Sequence, residues 1–174
     1  MHQIKFIKVG SGLTEDVLPF IVEATEKHPA IVRFEEAVDK AETVQVPYST
    51  HFPAKVSQLL ALEPTLRHVM AIAMWDSQVL NGGIDQWLEN GYACTLPYLL
   101  AACDAVGTLN AKRVADMAVG VSESLEGSNY DDAGSEDINH EFLQDESPYD
   151  KLDTEYYTFN EEFIREAGER LLAN

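Results

Sequence analysis

Hydrophobic residues recur at helical spacing along most of the chain, and few segments show the alternation typical of strands. The strongest signal runs from Thr65 to Leu80, where the stretch is apolar almost all round and therefore predicts a central, buried helix. Amphipathic segments predict shorter helices at residues 14–28, 31–41, 50–63, 96–106, 110–125 and from Asp153 onward, with Asn110 as the N-terminal cap of the segment 110–125. Together these patterns predict an all-α, bundle-like fold in a single domain spanning residues 1–174.

Two segments depart from the helical pattern. Residues 1–12 contain the short run Ile4–Val9 followed by Gly10-Ser11-Gly12, which predicts an N-terminal strand or extended arm. Residues 127–150 are rich in Gly, Ser, Asn, Asp and Glu, and they predict a long acidic loop. A loop of that length in a compact domain is typically functional or mobile.

Acidity is the dominant chemical feature of the chain. Its formal net charge is −18, and no lysine or arginine occurs between Arg113 and Lys151, a 37-residue interval with eleven Asp and Glu residues. Such a surface attracts basic partners and repels DNA, RNA and anionic membranes, which argues against direct nucleic-acid or membrane binding. The carboxylates then have two interpretations: a solvated surface that keeps the protein soluble, or a surface that imitates the phosphates of DNA.

Signatures of catalysis and of metal binding are missing from the sequence. A calcium-loop register starting at Asn129 has glycine at the sixth place, but Ala133 and His140 stand where the fifth and twelfth ligands belong. The five histidines show no ligand spacing relative to the two cysteines, and no phosphate-loop or nucleophile motif is present. We therefore expect no cofactor, no metal and no catalytic residue. Free thiols at Cys94 and Cys103, with no signal peptide and no long apolar run, predict a cytoplasmic setting.

A motif with two adjacent glycines follows the central helix. It is the run Asn81-Gly82-Gly83-Ile84-Asp85-Gln86-Trp87-Leu88-Glu89-Asn90-Gly91. The glycines allow a tight reversal of the chain, and Gln86 and Asn90 can bond the backbone groups that the reversal frees. Trp87 is expected to hold the turn in the core. The structural motif therefore consists of Asn81, Gly82, Gly83, Gln86, Trp87, Asn90 and Gly91.

This motif, with apolar helices on either side and the later Leu152-Asp153 and Tyr156-Tyr157 pairs, resembles the signature of a bacterial family of all-α domains. The named member of that family is a dimeric, acidic DNA mimic, and most other members have no assigned function. The resemblance covers residues 65–172. It implies an all-α fold, dimerisation and DNA mimicry as one mode of action. It assigns no acidic residue, because the acidic positions of a mimic have no motif.

We therefore expect a non-enzymatic interaction protein whose carboxylates occupy the DNA-binding surface of a basic partner, such as a helix-turn-helix repressor or a histone-like protein. The last predicted helix carries three glutamates on one face, with neighbours about 5–6 Å apart. The predicted partner-binding residues are Asp131, Asp132, Glu136, Asp137, Glu141, Asp145 and Glu146 of the acidic loop, with Glu162, Glu166 and Glu169 of that helix.

Two other functions stay open at this point. An immunity protein that neutralises a basic, nuclease-type toxin would use the same electrostatics with a central aromatic contact, for which Tyr130 and Tyr149 are candidates. An enzyme or small-ligand binder would instead need a pocket near Asn81–Gly91.

Overall fold

The computed structural model describes residues 27–44, 54–125 and 147–173, and all regular secondary structure within these ranges is helical. The prediction of an all-α, bundle-like fold is thereby confirmed. The described elements are α1 (Pro29–Glu42), α2 (Ala54–Ala61), α3 (Pro64–Glu89), a 3₁₀ turn (Tyr92–Thr95), α4 (Leu96–Val106), α5 (Leu109–Leu125), α6 (Asp150–Tyr157) and α7 (Asn160–Leu171).

The longest described helix, α3, lies at the centre of the bundle. It packs against α1, α4, α6 and α7. Its first half is buried on several sides, with Val69, Ile72 and Trp75 fully inaccessible to solvent. Because neighbouring helices cover it from several directions, this segment needs apolar residues all round, which is the pattern that the sequence shows. Most of the buried hydrophobic side chains of the described helices form one cluster.

Local chemistry sets several helix ends. The carboxylate of Glu63 accepts hydrogen bonds from two backbone N–H groups in the first turn of α3, both at 2.9 Å, and so caps that helix. Gly107 ends α4 in the left-handed conformation, with φ 66°. The start of α5 differs from the sequence prediction, which places Asn110 at the cap. Thr108 is the cap instead, because its hydroxyl accepts from the N–H of Ala111 at 3.2 Å.

The contact between α1 and α7 is unusually close. A Cβ atom on Gly168 would lie 2.1 Å from the carbonyl oxygen of Ala30, so a side chain at this position would push the two helices apart. The close approach lets α1 bury Phe34 and Ala41 in the core. The opposite side of α1 is left facing solvent.

Some predicted segments fall outside the described residues: the N-terminal arm (1–12), residues 14–26 of the first helix, and residues 127–146 of the acidic loop. One other boundary differs from the prediction: the final segment forms two helices, α6 and α7, rather than one, and the first of them starts at Asp150. The central helix is interrupted just after Leu80, where the sequence predicts its end, and a second helical segment of α3 then runs on to Glu89.

Candidate functional site

The two adjacent glycines form a break inside α3. Gly82 has φ −167° and ψ 24°, Gly83 has φ 78° and ψ −175°, and helical geometry resumes after them. The angles of Gly83 lie in a region that is open almost only to glycine, where a side chain costs about 1–3 kcal/mol. The structure thus has a kink within one helix, where the sequence predicts a tight reversal between two.

Helix α6 satisfies backbone groups on both sides of this break. The carboxylate of Asp153 accepts a hydrogen bond from the N–H of Ile84 at 2.9 Å, just after the break. One turn further along α6, the hydroxyl of Tyr157 donates to the carbonyl of Val79 at 3.0 Å, just before it. In an unbroken helix that carbonyl would face the N–H of Gly83. Two side chains of α6 therefore act as caps for the two halves of α3.

The position of Asp153 gives a second reason for glycine at residue 83. A Cβ atom on Gly83 would lie 2.3 Å from one carboxylate oxygen of Asp153 and 3.1 Å from its Cγ. Real Cβ atoms do not approach other atoms that closely, so the Asp153 side chain would have to shift and its hydrogen bond to Ile84 would be disturbed. The backbone angles and the proximity of α6 together exclude a side chain here.

A cluster of side-chain amides also spans the break. Gln78, before the break, accepts hydrogen bonds from Gln86 at 3.2 Å and from Asn90 at 2.7 Å, both after it. The sequence analysis expects Gln86 and Asn90 to bond freed backbone groups; their side chains instead meet the side chain of Gln78. The sequence gives no signal that Gln86 and Asn90 bond a side chain rather than the backbone, because their partner Gln78 lies outside the motif.

Aromatic side chains fill the space beneath the break. Trp87 is 1% exposed and lies in the core, where the sequence analysis places it. Its ring meets that of Trp75 edge to face, with centroids 5.3 Å apart, and Tyr156 packs on Trp75 at 6.1 Å. The hydroxyl of Tyr156 donates to the carboxylate of Asp76 at 2.7 Å. Packing and this hydrogen bond both tie α6 to the first half of α3.

Two carboxyl groups at the contact between α3 and α6 hold protons more tightly than usual. Burial raises the pKa of Asp76, although the hydrogen bonds it accepts from α6 and α7 side chains lower it. Burial also raises the pKa of Asp153, opposed by the hydrogen bond from Ile84 and reinforced by Asp85 and Asp150. A raised carboxyl pKa also suits a general acid, but both groups are bonded between helices. This geometry favours a structural role for them.

The three glutamates predicted to bind a partner lie along α7. Arg165 forms ion pairs with both Glu162 and Glu169. The ion pair with Arg165 lowers the pKa of Glu162, so this carboxylate stays ionised. Glu166 accepts a hydrogen bond from the hydroxyl of Thr108 at 2.7 Å, which links α7 to the start of α5. The face therefore carries three carboxylates and one guanidinium rather than bare carboxylates.

Helix α1 presents a second acidic face that the sequence analysis did not consider. Glu35, Asp39 and Glu42 are exposed and follow the spacing i, i+4, i+7, the same spacing as the three glutamates of α7. Lys27 forms an ion pair with Glu35 at 2.6 Å. Within the described ranges, Asp39 and Glu42 form no ion pair. The signal that could have revealed this face is the carboxylate spacing on a helix whose other side is apolar.

Most of the negative charge lies outside the described residues. The described ranges hold eighteen acidic and ten basic residues, a net −8 of the total −18. All seven predicted contact residues of the acidic loop fall in the remainder: Asp131, Asp132, Glu136, Asp137, Glu141, Asp145 and Glu146. Their role stays a prediction.

Other chemistry is sparse in the part of the chain that the structure describes. No three His, Cys, Asp or Glu side chains come together there as a metal site. Cys94 and Cys103 are both free thiols, and burial raises the pKa of Cys103 to about 12. None of the helices in residues 27–44, 54–125 and 147–173 combines the length and apolarity needed to cross a bilayer.

Comparison with known proteins places most of the chain in a family. A family model described as DMP19-like protein matches residues 60–174. The matched range includes α3 to α7, and with them the break and both of its caps, whereas α1 precedes it. None of the curated proteins and none of the solved structures matches the chain.

Proposed function

Since the chain belongs to the DMP19-like protein family, we propose that it is a non-enzymatic DNA mimic. Its carboxylates would occupy the DNA-binding surface of a basic protein, such as a repressor or a histone-like protein. The observation that carries the proposal is the net charge of −18 on a chain of this family. Charge alone would fit a merely soluble protein, and family membership alone would fit any function in the family.

The exposed face of α1 supports this proposal. Carboxylates at i, i+4 and i+7 are separated by about 6 Å and about 4.5 Å of rise along a helix axis. The phosphates of one DNA strand recur about every 3.4 Å of axis, so the helix spaces its negative charges about one and a half phosphate intervals apart. Because Asp39 and Glu42 lie on a helix packed into the core, their backbone positions are set before a partner arrives. Preorganisation lowers the entropic cost of binding.

The acids of α7 and of the acidic loop complete the proposed surface. Glu162, Glu166 and Glu169 contribute a net −2 together with Arg165. The seven loop carboxylates, from Asp131 to Glu146, would supply most of the remaining field. Dimerisation, which the family resemblance implies, would double the surface and stays a prediction.

The proposal is tested by capture and displacement. The immobilised protein is incubated with lysate of its source cell at low salt, and bound proteins are displaced either with duplex DNA or with polyglutamate at equal charge. We expect several DNA-binding proteins, released by duplex DNA more readily than by polyglutamate, because the duplex and the mimic occupy the same surface. Polyglutamate is the control for simple competition between polyanions.

Two outcomes would contradict mimicry. A single protein that duplex DNA does not displace would indicate a dedicated partner, as expected for an immunity protein bound to a toxin. Empty captures at low salt would indicate that the acidic surface serves mainly for solubility. The break in α3 would then be the remaining candidate site, as a position for a small ligand.

A further inference from the structure

Two large hydrophobic side chains are exposed next to each other where α6 meets the break in α3. Leu80 is 46% exposed and Tyr157 is 47% exposed. Leu80 follows Asp76 by one helical turn, and the carboxylate of Asp76 accepts from Tyr156, so Leu80 lies on the side of α3 that faces α6. The hydroxyl of Tyr157 reaches the carbonyl of Val79, the residue directly before Leu80. We refer to Leu80 and Tyr157 as the break patch.

The tyrosine of the break patch is held in place before any partner binds. Its hydroxyl donates to the carbonyl of Val79 at 3.0 Å, which orients the ring while half of the side chain stays in solvent. An aromatic side chain that is already oriented loses little conformational entropy on binding. Tyrosine is also enriched among the residues that dominate the binding energy of protein interfaces.

The charges around the break patch select the kind of protein that fits it. Asp85 and Asp150 lie close enough to Asp153 to interact with it electrostatically, and Asp150 is exposed. Against these three carboxylates the same stretch of α6 has one lysine, Lys151. A second copy of the chain would bring the same carboxylates to this contact, so the dimerisation that the family resemblance implies is expected at another face. A basic partner meets no such repulsion.

We propose that the break patch is the apolar contact point for the basic partner of the acidic surface. An aliphatic or aromatic side chain of the partner packs against Leu80 and Tyr157, and a neighbouring lysine or arginine pairs with Asp85 or Asp150. This inference rests on the proposed function, because it takes the partner to be a basic protein. It adds a source of specificity that a field of carboxylates lacks, since apolar contacts depend on shape and persist at high salt.

Two synthetic peptides of equal length and charge test the inference. One is lysine-rich with a central pair of leucines, and the other has serines in their place. We expect the leucine peptide to bind roughly tenfold more tightly, the effect of partly burying one large aliphatic group. Backbone amide shifts at Leu80, Ile84 and Tyr157 should change more with the leucine peptide than with the serine peptide. Affinities are measured by fluorescence anisotropy at low and moderate salt.

Three variants locate the effect. Leu80→Ser should remove the preference for the leucine peptide, and Tyr157→Phe should reduce it, because the ring stays but loses its hydrogen bond to Val79. Leu109→Ser is the matched control, since Leu109 is 75% exposed at the start of α5, outside the break patch. It should leave the preference unchanged.

The outcomes separate this inference from the proposed function. If both peptides bind equally to the wild-type protein, the acidic surface attracts basic chains but the break patch adds nothing, and only this inference is overturned. If neither peptide binds at low salt, the proposed function fails as well. If the wild-type protein self-associates and Leu80→Ser makes it monomeric, the break patch accepts a second copy, which also overturns the inference.

Discussion

The carboxylate of Asp153 accepts a hydrogen bond at 2.9 Å from the backbone N–H of Ile84, across 69 residues of sequence. This bond joins two parts of the sequence that the family resemblance brings together, the double glycine near residue 82 and the Leu152-Asp153 pair. Tyr157 adds a second bond between the same helices, to Val79. The two parts are therefore one structural unit, in which α6 caps a break that the glycines create.

The first prediction concerns the glycine that faces Asp153. Gly83→Ala should lower the free energy of unfolding by roughly 2–4 kcal/mol, because it adds backbone strain and displaces the cap. Gly82→Ala is the comparison and should cost less: its φ of −167° suits any residue, and although its Cβ would lie 2.1 Å from Oε1 and 3.0 Å from Cβ of Gln86, the amide end of that side chain can move. Urea unfolding measures both. Equal losses at the two positions would mean that the contact with Asp153 is not what requires glycine.

A second prediction separates the hydrogen bond of Asp153 from its charge. Asp153→Ala should cost about 1–2 kcal/mol, the usual effect of removing a helix cap. Asp153→Asn should cost much less, since the amide oxygen still accepts from Ile84 and the buried negative charge is gone. Thermal unfolding of the two variants, side by side, gives the comparison. A loss in Asp153→Asn as large as in Asp153→Ala would contradict the capping role.

The third prediction tests the close contact between α1 and α7. Gly168→Ala should destabilise the protein by roughly 1–3 kcal/mol, because its Cβ would lie 2.1 Å from the carbonyl oxygen of Ala30. Gly120→Ala provides the matched control on α5, where nothing lies within 4 Å of the added Cβ. That change should be neutral or stabilise the protein by up to about 1 kcal/mol. If Gly168→Ala also proves neutral, α1 does not approach α7 this closely in solution.

A fourth prediction concerns the dependence of stability on pH. Burial raises the pKa of Asp76 and of Asp153 in the folded protein. The folded state therefore binds protons more readily than the unfolded state, and the free energy of unfolding should increase as the pH falls from 7 through these raised pKa values. The gain is complete below the pKa of an unfolded aspartate, about 3.9. Thermal melts between pH 7 and pH 4 measure it.

Acidification also relieves repulsion across the whole chain, so this prediction needs a charge-matched control. The double variant Asp76→Asn, Asp153→Asn should show a flatter pH dependence than the wild type. The variant Asp104→Asn, Asp116→Asn removes the same charge from exposed positions and should keep the steeper dependence. If the two double variants have the same slope, general repulsion explains the effect and the buried pair does not.

Much of the fold follows from the sequence because helical spacing of apolar residues is a local signal. The range 96–106 predicted for α4 agrees with the structure, and the all-apolar stretch from Thr65 identifies the central helix. The cap of α5 was misassigned because Thr108 and Asn110 are both good caps, and only the backbone angles decide between them. The split between α6 and α7 was missed because the apolar spacing runs through it from Tyr156 to Phe163.

The contacts of the candidate site were harder to predict from the sequence than the helices were. The need for glycine at the break is a local property, and the motif showed it. The partners of the break, Asp153 and Tyr157, lie about seventy residues further along the chain, and no periodicity connects them. The ion pairs of Arg165 are different, because Glu162 and Glu169 lie at i−3 and i+4 on the same helix, a spacing that signals such pairs and that the sequence analysis does not use.

The salt dependence of binding tests the central claim most directly. A DNA-binding protein obtained by the capture experiment is titrated over a salt series against three forms of the chain. These are the wild type, an α1 variant and a control variant. The α1 variant combines Glu35→Gln, Asp39→Asn and Glu42→Gln, and the control variant combines Asp104→Asn, Asp116→Asn and Glu123→Gln. Each of the two variants loses three negative charges, all from exposed positions.

We expect the wild type and the control variant to share a steep loss of affinity with salt. The α1 variant should bind about tenfold more weakly at low salt and with a flatter slope, because ordered carboxylates rather than net charge make the contacts. Equal effects in both variants, or binding that does not respond to salt, would contradict DNA mimicry by the helical acidic surface.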